Sequence, residues 1–393
     1  MSLYLDYAAT TPLDSRVLDK MIPYLKEFSL CGNASSSHYF GKVIKDAIED
    51  ARINVGNFLN VDNSEIFWTS GATESNNLAI KGIYEARKSK GMHIITSAVE
   101  HKSILQTCLH LQTHQGAEVT FIRPDSNGSI DPQKVKEAIR EDTILISIMH
   151  VNNEVGTIQD ISEIGKIANQ NKIIFHVDAA QSLGKAKLSI KDWGVDLLSL
   201  SAHKAYGPKG VGCLFIKDPA NLAIKCQIHG GGQEKSLRSG TLATHQIIGM
   251  GECLSLLKRE EDDNISNAKN LAQFFENQLE HIEGVTINGD RNKCVSSIFN
   301  ISFDFVDSGM LLEALPDIAI ANGSACTSEK ITSSHVLQAM GLGRDVSRGA
   351  VRISFGKYTS KNDLDFAVEK ISKAVSVLRQ KSSLWNLSRK INW

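Results

Sequence analysis

The feature that most limits the fold is a series of short runs that stay apolar along much of their length. They are Glu65–Ser70, His93–Val99, Glu118–Arg123, Ile144–His150, Ile173–Asp178, Leu197–Ser201 and Gly212–Ile216. Several show no apolar–polar alternation, so both of their faces need cover. That is the habit of parallel strands sandwiched by helices. Helical patterns separate them, as at Glu74–Lys90 and Ile161–Gln170. This β-α-β-α order predicts an α/β sandwich around a mainly parallel seven-stranded sheet.

The pattern changes after about Thr241. A long helical stretch runs from Ala243 towards Leu279, and the charge run Lys258–Asp263 inside it reads as a solvated face. Shorter strand candidates follow at Ser297–Phe303 and Val351–Phe355. A last helix starts at Ser360 as N-cap, with Asp363 three residues on. Leu364, Ala367, Val368, Ile371, Val375 and Leu378 then form one apolar stripe. A chain of 393 residues exceeds one simple core. The expected division is a large α/β domain at 12–258. A smaller α+β domain is built from 1–11 and 259–393 and carries a loop around Cys326.

Composition narrows the function classes. Net charge is −1 and no basic cluster is present, so direct binding of nucleic acid or an anionic membrane is not expected. The N-terminus lacks a secretory pattern, and no stretch of membrane-spanning length is free of charge. Seven cysteines without a CxxC pair argue against a disulfide framework or a zinc cluster and favour a reducing cytoplasm.

Ligands of parallel α/β sheets collect at the carboxyl ends of the strands. Polar groups follow five of the predicted strands: Gly71-Ala72-Thr73-Glu74, Glu100-His101-Lys102, Val151-Asn152-Asn153-Glu154, Asp178-Ala179-Ala180-Gln181 and Ala202-His203-Lys204. The Ser70–Thr73 turn at a helix start suits an anion such as phosphate, or is a plain N-cap. It has neither the lysine of a P-loop nor GxGxxG spacing. Asp178, ending an apolar strand, needs a cationic partner. A protonated pyridine nitrogen would serve, and so would a structural lysine or arginine. Lys204 is a Schiff-base candidate if desolvated, and a surface lysine otherwise. His101 could stack on a ring and carry protons, or be an ordinary core histidine. Asn153 and Gln181 are generic hydrogen-bonding groups. Cys326 lies in the small, polar segment Ala321–Ser328, which reads as an exposed loop suited to a nucleophile. Cys213 and Cys253 read as core hydrophobes. Arg352, inside an apolar run, could grip a carboxylate with two hydrogen bonds or face outward on an edge strand.

Taken together, the ordered segments YLDYAATTP, GNASSSH, TSGATESNN, EHKSIL, HVNNEVG, HVDAAQS, SAHKAYGPKG, RSGT, GSACTS and VRISFG resemble the cysteine desulfurases. These belong to the class V aminotransferases, and the likeness is to the iron–sulfur assembly and nitrogen-fixation-like branch. The resemblance implies a fold-type I, pyridoxal-phosphate-dependent homodimer. It implies that Lys204 bonds the cofactor, Asp178 pairs with the pyridine nitrogen and His101 stacks on the ring. Ala72, Thr73, Ser201 and His203 would hold the phosphate, with Thr241 supplied by the other subunit. Asn153 and Gln181 would contact the ring hydroxyl. Asn33 and Arg352 would hold the carboxylate of L-cysteine. Cys326 would become a persulfide, leaving alanine, and would pass sulfur to an acceptor protein for iron–sulfur assembly or for tRNA or DNA thiolation. The same resemblance makes Cys326 the residue that would share an iron–sulfur cluster as a metal ligand.

Ala34 and Ala202 stand where that branch commonly has proline and glycine. The tail SSLWNLSRKINW matches only part of its scaffold-docking tail. Selenocysteine lyases and other fold-type I enzymes share the lysine, aspartate and histidine. The nucleophile Cys326 separates the two readings.

Overall fold

The computed structural model describes residues 2–322 and 334–391. After the short β1 (Leu3–Tyr4) come the strands of the central sheet. They are β2 (Ile66–Thr69), β3 (His93–Ser97), β4 (Glu118–Ile122), β5 (Thr143–Met149), β6 (Ile174–Asp178), β7 (Leu197–Ser201) and β8 (Gly212–Ile216). Each lies within two residues of the run predicted for it. Their order is β2-β8-β7-β6-β5-β3-β4. β8 runs against both neighbours, and every other pairing is parallel.

All residues of β2, β3, β5, β6, β7 and β8 are buried. Two cores explain why polar alternation is missing. Ile174, Leu197 and Leu214 enter the core on one face, while the next residues, Phe175, Leu198 and Phe215, enter the core on the other. Cys213 and Cys253 are buried within the second of these cores. The helix Ala72–Arg87 begins directly after Gly71, whose φ of 148° suits glycine.

A third core lies beyond the sheet. β9 (Val285–Asn288), β10 (Ile298–Phe303), β11 (Ile318–Ala319), β12 (Ala321–Asn322) and β13 (Ala350–Ser354) complete the strands. They form an antiparallel sheet in the order β12-β13-β10-β9, while β1 pairs with β11. The helix Thr244–Leu279 spans both regions. Its Ile247, Met250 and Leu254 pack in a core of the central sheet, and its Leu271, Phe275 and Leu279 pack in the third. The helix Lys361–Gln380 starts with the predicted box, Ser360 and Asp363 bonding reciprocally.

Three local expectations change. Arg352 is not on an edge: β13 lies between β12 and β10, and the side chain is buried. Ala321 and Asn322 are not loop, because they pair with Arg352 and Val351 as β12. In the charge run, Glu261 turns inward and binds Lys187 at 2.6 Å. Cys326 lies outside the described residues.

One buried carboxylic acid sits at the sheet's ligand edge. Glu100 is fully buried, and its Oε1 accepts from Ser97 Oγ at 2.5 Å and Met149 N at 3.0 Å. Burial raises its pKa from 4.5 to about 8.

Two outcomes test this packing. Phe275 is fully buried, with ring centroids 5.1 Å from Phe299 and 6.1 Å from Phe355. Phe275→Ala should lower unfolding free energy by about 3–5 kcal/mol in denaturant titrations. For Glu100, the native state keeps a proton that the unfolded chain releases at its lower pKa. Stability from this source is fully present below pH 4.5 and is lost as pH rises through about 8. Wild type should therefore lose roughly 4–5 kcal/mol relative to Glu100→Gln as pH rises through that window. Parallel pH curves for the two proteins would contradict the assignment.

Candidate active site

A single connected cavity opens where the parallel strands end, and its lining falls into three zones. Ser70 to Thr73 from the turn after β2, with Ser201 and His203 from the end of β7, line one pole. Asp178 and Gln181 after β6, His101 after β3, and Lys204 line the middle. Asn153, Glu154, Lys102, Ser334, His335 and Arg352 line the far pole. Ala8 to Thr10, from the start of the chain, close one side.

The first pole is built for an anion. No side chain caps the helix Ala72–Arg87, so its first N–H groups and dipole face the cavity unsatisfied by a cap. The first-turn acid, Glu74, is committed elsewhere: it accepts from Ser70 N at 2.9 Å and binds Arg238 Nε at 2.7 Å. Backbone passes close here, since a Cβ at Gly212 would lie 2.7 Å from Gly71 Cα. Burial lowers the pKa of His203 to about 4, helped by Lys204, Lys209 and Lys185, so its ring is neutral at pH 7.

In the middle, Asp178 is buried with both oxygens held by donors. Oδ1 accepts from Ala180 N at 2.9 Å, and Oδ2 accepts from Asn76 Nδ2 at 2.8 Å. Gln181 Nε2 donates to Ala8 O at 2.7 Å, and its Oε1 is buried without a partner. That orphan acceptor suits a hydroxyl donor in the cavity. Lys204 Nζ donates to Ala8 O at 2.6 Å and Ala9 O at 2.7 Å. His101 caps the helix Lys102–Gln115, its Nδ1 accepting from Ser103 N at 3.1 Å. Its pKa is lowered, first by burial and then by Lys204 and Lys102 against the opposing pull of Asp178.

At the far pole Arg352 donates to Asp6 Oδ1 at 2.7 Å and to Asn153 O at 2.9 Å, while its buried Nε has no partner. Glu154 accepts from the hydroxyl of Ser334. Burial raises its pKa to about 7 against the opposing effects of Ser334, Arg352 and Lys102.

Of the residues singled out in the sequence, the cavity gathers Ala72, Thr73, His101, Asn153, Asp178, Gln181, Ser201, His203, Lys204 and Arg352. Asn33 and Thr241 lie outside it and are exposed. Sequence reasoning gave no role to Lys102, Glu154, Ser334, His335 or Lys209, nor singly to Ala8, Ala9 and Thr10. The strand-end rule listed Lys102 and Glu154 beside His101 and Asn153 but gave them no task. Ser334 and His335 carry no local signal.

The donor set fits pyridoxal phosphate: an uncapped helix start for the phosphate, a held carboxylate for the ring nitrogen, an orphan acceptor for the hydroxyl and an amine for the aldehyde. Among the described residues no cluster of histidine, cysteine and acids could hold a metal ion, and no helix is long and apolar enough to cross a membrane.

The aminotransferase class-V family profile matches residues 3–366. A cysteine desulfurase IscS of Vibrio cholerae is 47% identical over 98% of this chain and 96% of its own. A solved NifS-like protein superposes with a TM-score of 0.90 at 35% identity, covering 96% of this chain and all of its own. SspA, solved in complex with cysteine, superposes with a TM-score of 0.82 at 38% identity, covering 91% of this chain and all of its own. The chain belongs to the class-V aminotransferase family, in its cysteine desulfurase branch.

Proposed function

We infer that this chain is a pyridoxal-phosphate-dependent cysteine desulfurase that moves sulfur from L-cysteine to Cys326. The observation that carries this reading is the convergence of Lys204, Asp178 and Gln181 on one cavity with an arginine at its far pole. Bound there, the cofactor supplies an electron sink for bond breaking next to the substrate's amino group. Ala72, Thr73, Ser201 and His203 hold its phosphate, Asp178 its ring nitrogen, and Gln181 with Asn153 its hydroxyl. Lys204 is the amine that bonds its aldehyde. The carbonyls of Ala8 and Ala9 hold that amine at the cavity wall.

Arg352 is poised for the substrate carboxylate. Asp6 and the Asn153 carbonyl fix its guanidinium, and the remaining Nε donor is free to bind. The family resemblance adds Asn33 to that carboxylate, and Asn33 itself lies outside the cavity in this structure. His101, neutral and at the middle of the cavity, carries a proton between substrate atoms. In the overall reaction an S–S bond forms between Cys326 and the substrate sulfur while the substrate Cβ–S bond breaks. The proton of the Cys326 thiol ends on Cβ, so the products are a persulfide and L-alanine. An acceptor protein serving iron–sulfur assembly or thiolation then takes the sulfur by thiol exchange. Thr241 reaches the phosphate of a second copy in a homodimer, which its exposed position outside the cavity of its own chain supports. The cysteine bound in the SspA structure supports the substrate assignment.

Cys326→Ala should keep the visible absorbance of the bound cofactor and lose sulfide release from cysteine by on the order of 100-fold or more. Lys204→Ala should lose the absorbance band itself. Sustained cysteine turnover by Cys326→Ala would remove the desulfurase reading.

A further inference from the structure

We propose that Asn76 and Ser103 are a positioning pair that keeps the proton of neutral His101, a residue lining the cavity, on its Nε2 and ties that ring to Asp178. The inference rests on the function proposed above, in which both His101 and Asp178 face the cofactor. Neither Asn76 nor Ser103 lines the cavity, so both act through other residues.

Asn76 is fully buried on the helix Ala72–Arg87. Its Nδ2 is 2.8 Å from Asp178 Oδ2 and 2.8 Å from Ser103 Oγ. An ionised carboxylate only accepts, so the amide nitrogen must face Asp178, and its two hydrogens serve the two neighbours. The Oδ1 of Asn76 is left buried and without a partner. Such an orphan is costly, and it marks the two N–H donors as what this position supplies.

The second arm continues to the ring. Ser103 Oγ receives one hydrogen from Asn76 and lies 2.8 Å from His101 Nδ1. Ser103 N also donates to Nδ1, at 3.1 Å. Nδ1 is therefore an acceptor, the serine hydroxyl gives it a second donor, and the neutral ring carries its hydrogen on Nε2. Donor follows donor without conflict from Asn76 through Ser103 to His101, and in parallel from Asn76 to Asp178. One amide thus sets both the orientation of the carboxylate and the tautomer of the histidine.

The groups around His101 define how its titration should respond. Asp178 favours the charged ring, Lys204 and Lys102 oppose it, and His335 lies close enough to couple to it. Two donors on Nδ1 also oppose protonation there. Removing the hydroxyl in Ser103→Ala takes away one of them, so the titration midpoint should rise by about one pH unit. Ser103→Thr keeps the hydroxyl and should restore the wild-type midpoint. Asn76→Asp cannot donate to Asp178. It also draws the serine hydroxyl away from the ring and adds a negative charge, so it should give the largest upward shift.

The measurement is imidazole nitrogen NMR on the holoenzyme labelled at histidine, with His101 assigned by loss of its signals in His101→Gln. The expected result is an Nε2–H tautomer in wild type, with midpoints ordered wild type and Ser103→Thr lowest, then Ser103→Ala, then Asn76→Asp. Steady-state kinetics of Ser103→Ala should show a fall in kcat with KM little changed. An Nδ1–H tautomer in wild type would overturn the proposal. So would unchanged His101 midpoints in variants that merely melt at lower temperature, which is what a packing role predicts. Failure of the functional reading looks different. A protein that loads no cofactor refutes that reading, while the tautomer and the midpoint order in the cofactor-free protein still decide the positioning role.

Discussion

A carboxylate can stay buried at the end of an apolar strand only if donors surround it, and the site is organised by how Asp178 obtains them. One comes from its own turn, at Ala180 N. The other comes from Asn76, on the helix that begins at the anion-binding turn after β2. Asn76 also reaches Ser103, on the helix that follows β3 and is capped by His101. Three β-α units are thereby locked together at one point. Asp178, His101 and the turn after β2 hold a fixed relation because a buried acid requires satisfied oxygens.

The sheet was legible because its strands are covered on both faces. Apolar runs without alternation leave few other architectures, and β2 to β8 lie where those runs predicted. The direction of β8 was not legible. Its run, Gly212–Ile216, is as apolar as that of β7, and only the short connection through Lys204 to Val211 favours an antiparallel return. The strand-end rule likewise located Asp178, Lys204, His101 and Asn153, since a parallel sheet brings those ends to one edge.

What the sequence hid is contributed from far along the chain. Ala8 and Ala9 meet Lys204 across 196 and 195 residues, and Arg352 meets Asp6 across 346. No local period encodes such contacts. Arg352 was ambiguous for the same reason: one charge in an apolar run reads as an edge residue until β12 is seen to flank β13. Asn76 and Ser103 were invisible in another way. Each is an ordinary polar residue within a helix, and only donor and acceptor accounting in three dimensions gives them a role.

The central claim is that the amine of Lys204, held by two backbone carbonyls at the edge of the sheet, is the point of covalent attachment for the cofactor. Borohydride reduction of the holoenzyme followed by peptide mapping tests it directly. A pyridoxyl group is expected on Lys204 and on no other lysine. A label on Lys185, Lys102 or Lys209, with Lys204 unmodified, would contradict it.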